Sequence, residues 1–343
     1  MGARFARGVG NATEGLHLAL AALNIGVNDE VIVPPYTWIS SASCVVMQNG
    51  VPVFADCDAA TLALSAETIE AKITNRTKAV ILVHMFGYPA DLDPIVALCR
   101  RRGLRLIEDA SHAHGASYKG RMIGTFGDVG VFSLHQRKAL CVGDGGILVT
   151  DDADIASALF RLRSFGHTEL SYNYRMTELA AAIGRVRLRR LDADNDVRIR
   201  NAERLGTLLD AIPGVRVRKP LPNTKGVYYR VLVECDPDRV GTAADFAARL
   251  RDAGVPAERT WQPLHRHPLF NPTVEPARGC PWKWSLYEGR DRMPAHYADL
   301  SFPVIEDYCD RRVLELPVHP PIDASHMRQA AAAFAAIAKE QAR

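Results

Sequence analysis

Residues 107–146 run IEDASHAHGASYKGRMIGTFGDVGVFSLHQRKALCVGDGG. Asp109 ends one apolar strand candidate, and Lys138 lies five residues beyond Ser133, at the end of another. Small residues around both allow a flat ligand to approach the backbone closely. An acid at one strand end and an amine just past the next indicate an α/β sheet whose chemistry lies at the carboxyl ends of its strands.

These side chains are the ones that an enzyme needs to hold pyridoxal phosphate. The amine of Lys138 would form a Schiff base, and the Asp109 carboxylate would keep the ring nitrogen protonated. Leu134 and the apolar residues at 139–142 flank Lys138, and such a setting lowers a lysine pKa. Any single lysine is usually solvated, so the prediction depends on the whole set in order.

Apolar strand candidates alternate with helical stretches through the first half of the chain. They lie at 29–34, 51–57, 78–86, 104–110, 129–134 and 145–151. This alternation predicts an α/β fold, a mostly parallel but mixed seven-stranded sheet between helices. We see no apolar strand before residue 29, so we expect the chain to start at a turn and a helix near residues 10–15.

The second half has a different pattern. A helical region runs from Met176 to about Leu209, then a strand pair at 214–220 and 226–234, and a helix at 243–254. We therefore predict a large domain over 1–212 and a smaller C-terminal α+β domain over 213–343. Pro, Gly and aromatic residues crowd 266–303 without periodicity, which predicts an ordered loop.

Composition excludes several classes of protein. The net charge of +3 and the absence of a basic run interleaved with aromatics argue against a nucleic-acid partner, and RVRLRR at 185–190 is predicted to be a solvated helix face. Seven cysteines without a CxxC pair argue against a zinc or other metal site and against a disulfide framework. No apolar run reaches membrane-spanning length. We expect a soluble, cytoplasmic protein without a membrane partner.

Several other residues allow two interpretations each. Thr13, in GNATEG before an amphipathic helix, would either cap that helix with Asn11 or bind a phosphate at its N-terminus. Trp38 would either pack in the core or stack on a cofactor ring. His112 and His114 would either be structural histidines or contact a phenolate oxygen.

With these motifs in order, the chain resembles the DegT/StrS-type sugar aminotransferases, a branch of the fold-type-I pyridoxal-phosphate enzymes. The similarity covers essentially the whole chain. Its segments are GNATEGLHLALAALNIGVNDEVIVPPYTW at 10–38, EDASHAHGASYKGRMIGTFGDVGVFS at 108–133, Lys138 followed by GDGG, and SYNYRMTELAAAIG at 171–184.

The resemblance implies a role for each matched residue. Lys138 and Asp109 would be catalytic, His112 would contact the ring phenolate and Trp38 would stack on the ring. The family's sites lie between subunits, which implies a homodimer in which Asn173 reaches the neighbouring cofactor. The implied cofactor-binding residues are Thr13, Glu14 (through its backbone), Trp38, Asp109, His112, Ser133, Lys138 and Asn173. The implied substrate-side residues are His265, Tyr172 and Arg175.

The family also implies a reaction. Glutamate or glutamine would give an amino group to a keto-cyclitol or keto-sugar, in aminocyclitol or amino-sugar biosynthesis for an antibiotic or a surface glycan. HAHGA after Asp109 and Gln136 before Lys138 favour a cyclitol over a nucleotide-linked keto-sugar. A related sugar dehydratase would carry His in place of Lys138, and His135 keeps that alternative open. A non-catalytic regulatory remnant of the fold is the alternative from another class.

Three departures from the family affect these expectations. The chain begins close to the phosphate-binding turn, so the usual N-terminal helix and strand are expected to be absent. Glu14 stands where relatives often have a small or neutral residue, which requires its carboxylate to point away from a phosphate. The segment 266–303 is longer than usual and is expected to shape substrate choice, unless its GCPWKW is a packed loop anchor.

Overall fold

A computed structural model describes residues 2–165, 169–271, 285, 287–288 and 296–341. The predicted loop at 266–303 lies largely outside the described residues, and its GCPWKW segment at 279–284 lies wholly outside them. In chain order the strands are β1 Phe5–Val9, β2 Glu30–Val33, β3 Val51–Phe54, β4 Thr77–Val83, β5 Arg105–Asp109, β6 Ser117–Tyr118, β7 Arg121–Met122, β8 Val129–Ser133, β9 Gly146–Thr150, β10 Val215–Val217, β11 Thr224–Lys225, β12 Val231–Cys235, β13 Glu258–Arg259 and β14 Val313–Leu316.

Helices separate most of these strands. They are α1 Ala12–Ala22, α2 Ser40–Met47, α3 Ala66–Glu70, α4 Leu92–Arg102, α5 Ala153–Arg163, α6 Glu178–Leu188, α7 Leu191–Leu209, α8 Pro237–Val240, α9 Ala243–Asp252, α10 Pro303–Asp307 and α11 Ala324–Gln341. Polar side chains begin several of them. For example, the Thr177 hydroxyl accepts a hydrogen bond from the Ala180 amide at the start of α6.

The large sheet has seven strands in the order β1–β9–β8–β5–β4–β2–β3. β3, β2, β4, β5 and β8 pair in parallel, and β9 is antiparallel to both of its neighbours. Parallel neighbours need crossover connections, and α2, α3 and α4 supply them between β2, β3, β4 and β5. The predicted mixed α/β sheet is confirmed, and each of its six predicted strands overlaps an observed one.

Alternate residues of the central strands face opposite layers. On β4, Ile81 and Val83 belong to one apolar core cluster, whereas Val80 and Leu82 belong to another. All four residues are buried. A strand with both faces covered has a continuous apolar run rather than an alternating pattern, which is why KAVILV was recognisable in the sequence.

β1 corrects one expectation, because a strand does precede the first helix. It pairs with β9 from Phe5↔Thr150 to Val9↔Gly146. β1 lies at the edge of the sheet, and in its sequence FARGV, which includes an arginine, only Val9 is buried. An edge strand of this kind lacks the apolar run by which the buried strands were predicted.

A second sheet forms the predicted smaller α+β part. It has four antiparallel strands in the order β10–β12–β14–β13. Phe246 of α9 and Phe334 of α11 stack with their centroids 5.2 Å apart, and both are fully buried. Aromatic side chains of this size contribute much of the apolar area of a small core.

The two halves of the chain also contact each other. β11 pairs with β6, and one apolar core cluster includes residues of both halves. α7 ends at Leu209 and β10 begins at Val215, on either side of the predicted boundary. The division into separate domains at 1–212 and 213–343 stays a prediction. Among the described residues, no helix has the length and apolar character required to cross a membrane.

The predicted helical region after Met176 consists of two helices, α6 and α7, with a break at residues 189–190. Arg185, Arg189 and Arg190 are exposed, as predicted for the RVRLRR stretch. Val186 and Leu188 are exposed as well. This surface is therefore apolar as well as basic.

Candidate active site

The site lies where neighbouring strands end at one edge of the large sheet. Asp109 is the last residue of β5, and Ser133 is the last residue of β8. The two strands are parallel, with Asp109 opposite Val131, so their carboxyl ends meet at the same edge. This is the edge at which α/β sheets bind their ligands.

The Asp109 carboxylate is buried and held by two donors. The Ser41 hydroxyl donates to Oδ2 at 2.8 Å, and the Ser111 amide donates to Oδ1 at 3.1 Å. Ser41 is fully buried in α2 and lies 2.8 Å from the Thr37 hydroxyl. A carboxylate has room for about four hydrogen bonds, so Asp109 retains acceptor capacity for a ligand.

Lys138 lies on the turn between β8 and β9. Its amide donates to the His135 carbonyl at 2.8 Å, and the Leu134 amide donates to the Gly145 carbonyl at 2.8 Å, which closes the turn. Leu134, Ala139, Leu140 and Val142 are buried together with Ala180 and Leu191. The lysine therefore projects from a turn that is anchored by apolar residues on both sides.

Burial lowers the pKa of Lys138 to about 8, although the Asp109 carboxylate acts in the opposite direction. At pH 7 about a tenth of such amines are unprotonated, several hundred times more than for an ordinary lysine. The influence of Asp109 also means that the two groups lie close enough to interact. This is the juxtaposition on which the sequence prediction depends.

His112 presents a neutral imidazole beside the lysine. Its Nδ1 accepts a hydrogen bond from the Phe86 amide at 3.2 Å, so the ring hydrogen resides on Nε2. Burial, Lys138, His114 and Arg230 together hold the pKa of His112 well below its ordinary value. A neutral ring with an Nε2–H donor suits an oxygen acceptor such as a phenolate.

Aromatic rings surround this imidazole. Tyr229 stacks on His112 with centroids 4.3 Å apart, and Trp261 meets His112 edge-on at 5.7 Å. Trp261 also contacts Trp38 at 5.4 Å. Trp38 is 59% exposed, so it does not occupy the core, and its ring is accessible to a ligand.

The N-terminus of α1 forms the opposite end of the site. Asn11 caps the helix, accepting from the Glu14 amide at 2.9 Å. The Glu14 carboxylate points back into the turn, where the Gly10 amide and the Asn11 side chain donate to it at 2.8 and 3.0 Å. That the carboxylate points away from a bound phosphate stays a prediction. The same capping bond occupies the Glu14 amide, so the amides of residues 12 and 13 are the first-turn donors without an intrahelical partner.

Two adjacent serines of α2 link the two ends. The Ser40 hydroxyl lies 2.7 Å from the Thr13 hydroxyl, while Ser41 binds Asp109. Gly146 brings Ser133 to the same place, since it pairs with Ser133 in the sheet. A Cβ on Gly146 would lie 2.7 Å from the carbonyl carbon of Asn11. Only glycine allows this approach.

These residues fit pyridoxal phosphate. Helix amides and the hydroxyls of Thr13 and Ser133 would bind the phosphate, and Asp109 would accept a hydrogen bond from a protonated ring nitrogen. Lys138 supplies an amine of low pKa in the same site. The close contact between Gly146 and the Asn11 backbone holds the start of α1 against the sheet.

Three predicted residues have other partners within the chain. Asn173 is exposed and accepts from Arg175 Nε at 3.0 Å. The Tyr172 hydroxyl donates to Gln48 at 3.1 Å, and its ring stacks on Tyr174 at 4.8 Å. None of the contacts described for these residues joins them to Lys138 of the same chain. Their roles as cofactor- and substrate-binding residues stay predictions.

His265 lies in a different environment from the one predicted for a substrate contact. It is 1% exposed, and its Nε2 lies 2.9 Å from the Glu306 carboxylate. Its ring also packs edge-on against Phe302 at 4.8 Å. Burial lowers the pKa of His265 below its ordinary value. The described contacts are those of a structural histidine, and the substrate role stays a prediction.

Sequence reasoning missed four residues of the site: Ser41, Phe86, Tyr229 and Trp261. Ser41 follows the PPYTW segment closely, and a run of hydroxyls at the start of a helix was a usable signal. Tyr229 and Trp261 come from the second half of the chain. Their approach to His112 depends on how the two halves pack, which local patterns do not indicate.

The fold and the site together define a pyridoxal-phosphate-dependent transferase of the α/β type. Comparison with known proteins identifies the group more closely. The chain belongs to the DegT/DnrJ/EryC1/StrS aminotransferase family, whose model matches residues 1–301. Members of this family are aminotransferases that depend on pyridoxal phosphate.

Individual relatives include proteins that act on cyclitols and on sugars. The L-glutamine:2-deoxy-scyllo-inosose aminotransferase of Streptomyces kanamyceticus is 38% identical over 284 residues, which are 76% of this chain and 66% of that protein. The UDP-N-acetyl-3-dehydro-alpha-D-glucosamine 3-aminotransferase of Acidithiobacillus ferrooxidans is 38% identical over 328 residues, covering 92% and 80%. The chain thus spans slightly less than two thirds of the first relative.

A solved structure supports the same fold. The aminotransferase TlmJ from Streptoalloteichus hindustanus superposes with a TM-score of 0.83 at 31% identity, covering 98% of this chain and 86% of that one. The predicted family and fold type are confirmed.

Proposed function

We propose that this chain moves an amino group from glutamine or glutamate to the ketone of a carbocyclic polyol. The observation that carries the proposal is the shared site of Lys138 and Asp109, in which the lysine pKa is about 8. When bound, pyridoxal phosphate supplies the carbon that accepts the amino group and a ring that accepts electrons. Lys138 would take up and return the proton of the substrate carbon.

The other residues would bind and orient the cofactor. The Asp109 carboxylate, held by Ser41 and Ser111, would accept a hydrogen bond from the protonated ring nitrogen of the cofactor. The Nε2–H of His112 would donate to the ring oxygen. The phosphate would lie at the α1 N-terminus with Thr13 and Ser133, and Trp38 would cover the ring.

A cyclitol ketone is favoured over a nucleotide-linked sugar by two features of the sequence. HAHGA follows Asp109, and Gln136 precedes Lys138. The name of the cyclitol relative gives L-glutamine as its amino donor. The sugar relative acts on a nucleotide-linked sugar, which is the alternative substrate class. Both classes would place the enzyme in aminocyclitol or amino-sugar biosynthesis, for an antibiotic or a surface glycan.

The other two alternatives have less support. A dehydratase would require His135 to take the place of the lysine. The His135 Nδ1, however, accepts a hydrogen bond from the Arg137 amide at 3.3 Å, and the pKa of Lys138 is influenced by the Asp109 carboxylate. A regulatory remnant would have no need for a buried acid, a neutral histidine and a low-pKa lysine together.

We also propose a homodimer with shared active sites. Leu179, Ile183 and Val186 lie on one side of α6 at helical spacing, and they are 79, 49 and 59% exposed. An apolar face of this kind is typical of an interface, and a second copy of the chain is the occupant proposed here. Asn173 is nearby in sequence and would reach the cofactor of the neighbouring site. In the part of the chain that the structure describes, six cysteines are free and most of them are buried, which is consistent with a reducing cytoplasm.

A substrate screen tests the proposed function. Purified enzyme with pyridoxal phosphate and glutamine is offered keto-inositols and, separately, nucleotide-linked keto-sugars, and amino products are identified by mass spectrometry. We expect amination of a keto-inositol. Turnover of only the nucleotide-linked sugars would overturn the cyclitol assignment, and loss of water without amination would identify a dehydratase. Colourless protein that turns over neither class would support the regulatory alternative.

A single variant tests the dimer. Leu179→Asp places a charge on the exposed face of α6 without disturbing a buried residue. Light scattering should show a dimer for the wild-type chain and a monomer for the variant, with activity lost in parallel. An exposed substitution elsewhere, Lys119→Ala, serves as the control. A wild-type chain that is monomeric and active would contradict the shared site.

A further inference from the structure

We propose that the aromatic face of Tyr229 is a resting position for the Lys138 amino group whenever that group is not bonded to the cofactor. Tyr229 is thus a positioning residue, and the inference rests on the role proposed for Lys138. During amino transfer the lysine must leave the cofactor carbon and return to it. A defined position for the released amine would keep it within reach of the substrate.

The contact is present in the structure. Lys138 Nζ lies over the Tyr229 ring, 5.1 Å from its centroid. His112 stacks on the same ring at 4.3 Å with an interplanar angle of 13°. Rings this close leave no room for an ammonium between them, so Lys138 does not separate the two rings. Distances of this size are within the range of cation–π attraction.

Tyr229 is held rigidly in this position. Its amide donates to the Phe86 carbonyl at 2.8 Å, and the Val227 amide donates to the Gly87 carbonyl at 3.0 Å. A Cβ on Gly87 would lie 2.8 Å from the Val227 side chain. The same turn supplies the Phe86 amide that binds His112. One backbone contact therefore places the tyrosine and the histidine relative to each other.

Backbone strain marks the same contact. Tyr228 has φ 46° and Phe86 has φ 53°, both in the left-handed region. Bulky residues rarely adopt this conformation, and strained residues of this kind cluster at functional sites. The two strained aromatic residues lie on the two segments that meet at Tyr229.

The surroundings decide the direction of the effect. The charged and titratable groups that interact with the Lys138 amine are Asp109, His112, His114 and Tyr229. Asp109 and the aromatic face favour the protonated amine, while burial disfavours it. Removal of the aromatic face should therefore lower the pKa of Lys138 further. A contribution typical of a partly desolvated pair corresponds to a decrease of about 0.5 to 1.

The test uses the full chain freed of cofactor, so that its outcome does not depend on catalysis. Trace acetic anhydride labelling across pH 5–11 (a range of about six pH units) reports the pKa of Lys138 when the labelled peptide is quantified by mass spectrometry. Exposed Lys219 in the same digest provides the internal reference. Wild-type protein is compared with Tyr229→Phe, which keeps the ring, and Tyr229→Leu, which removes it.

We expect the same Lys138 pKa in the wild-type protein and Tyr229→Phe, and a lower one in Tyr229→Leu. In the loaded enzyme, turnover with glutamine should fall in the leucine variant and recover in the phenylalanine variant. An unchanged pKa in Tyr229→Leu would overturn the proposal, as would a phenylalanine variant that behaves like leucine. If Tyr229→Leu does not fold, Tyr229→Trp takes its place in the test. The Lys138 pKa in Tyr229→Trp should equal or exceed the wild-type value, and a lower pKa would overturn the proposal. Failure of the aminotransferase assignment would appear instead as absence of amino transfer by the wild-type enzyme.

Discussion

Glu108 and Asp109 are neighbours on β5, yet their side chains face opposite sides of the sheet and have different surroundings. Glu108 accepts four hydrogen bonds, from the amides of Gly124, Phe126 and Gly127 and from His84 Nε2, at 2.6–3.1 Å. Asp109 accepts two, from Ser41 and Ser111. One carboxylate is saturated by the fold, and the other retains acceptor capacity toward a site.

The difference indicates how to separate a structural acid from a functional one. Burial opposes ionisation of Glu108, but the hydrogen bonds from His84 and from backbone amides outweigh it and lower the pKa of this carboxyl. Its charge therefore serves to hold the loop at 124–127 against the sheet. Asp109 has no such loop to hold, and its neighbour across the site is Lys138.

Glu108→Ala should have the largest effect on stability. The variant leaves three amides and His84 without their acceptor in a fully buried position, at a cost of about 3–5 kcal/mol. Urea unfolding measures the change, with exposed Glu67→Ala as the matched control. A variant as stable as the wild-type chain would show that the loop does not depend on this carboxylate.

Asp109→Asn should affect activity rather than folding. The amide can still accept from Ser111, and the Ser41 hydroxyl can rotate to suit it, so stability should change by about 1 kcal/mol or less. Amino transfer should fall about 100-fold or more, equivalent to about 2.7 kcal/mol of barrier. Steady-state rates and urea unfolding are measured together, with Asp93→Asn as control. Full activity of Asp109→Asn would show that Asp109, like Glu108, has only a structural role.

Gly146→Ala should have a smaller effect that is confined to the anion-binding end. A Cβ there would press on the Asn11 backbone at 2.7 Å, which should displace the start of α1 at a cost of about 1–3 kcal/mol. Pyridoxal phosphate affinity should fall about tenfold by the same measure. Gly26→Ala is the control, since a Cβ at Gly26 meets nothing within 4 Å. Equal cofactor affinity in both variants would argue against a phosphate site at the start of α1.

The sequence indicates the buried centre of the fold better than its edges. β4 contains an apolar run that is buried on both faces, and such a run is evident without a structure. β1 was missed because FARGV lies at a sheet edge, where packing imposes no apolar pattern. The sequence indicates that the Glu14 carboxylate must avoid a phosphate, but it does not indicate where the carboxylate points. The structure shows that the Gly10 amide binds it.

The site divides in the same way. Lys138, Asp109, Thr13, His112 and Ser133 belong to segments whose order resembles one family, and the structure brings these segments together at one sheet edge. Tyr229 and Trp261 reach His112 only through the packing of the second half of the chain on the first. A side chain recruited across that contact leaves no local signal.

The central claim is that the Lys138 amine and the Asp109 carboxylate hold one cofactor molecule. The most direct test is borohydride reduction of the enzyme with pyridoxal phosphate, followed by mass spectrometry of the lysine-containing peptides. The account predicts a single cofactor-sized mass addition on Lys138, lost together with the yellow colour in Lys138→Ala and kept in Lys119→Ala. Covalent attachment at another lysine, or a Lys138→Ala protein that stays yellow and active, would contradict it.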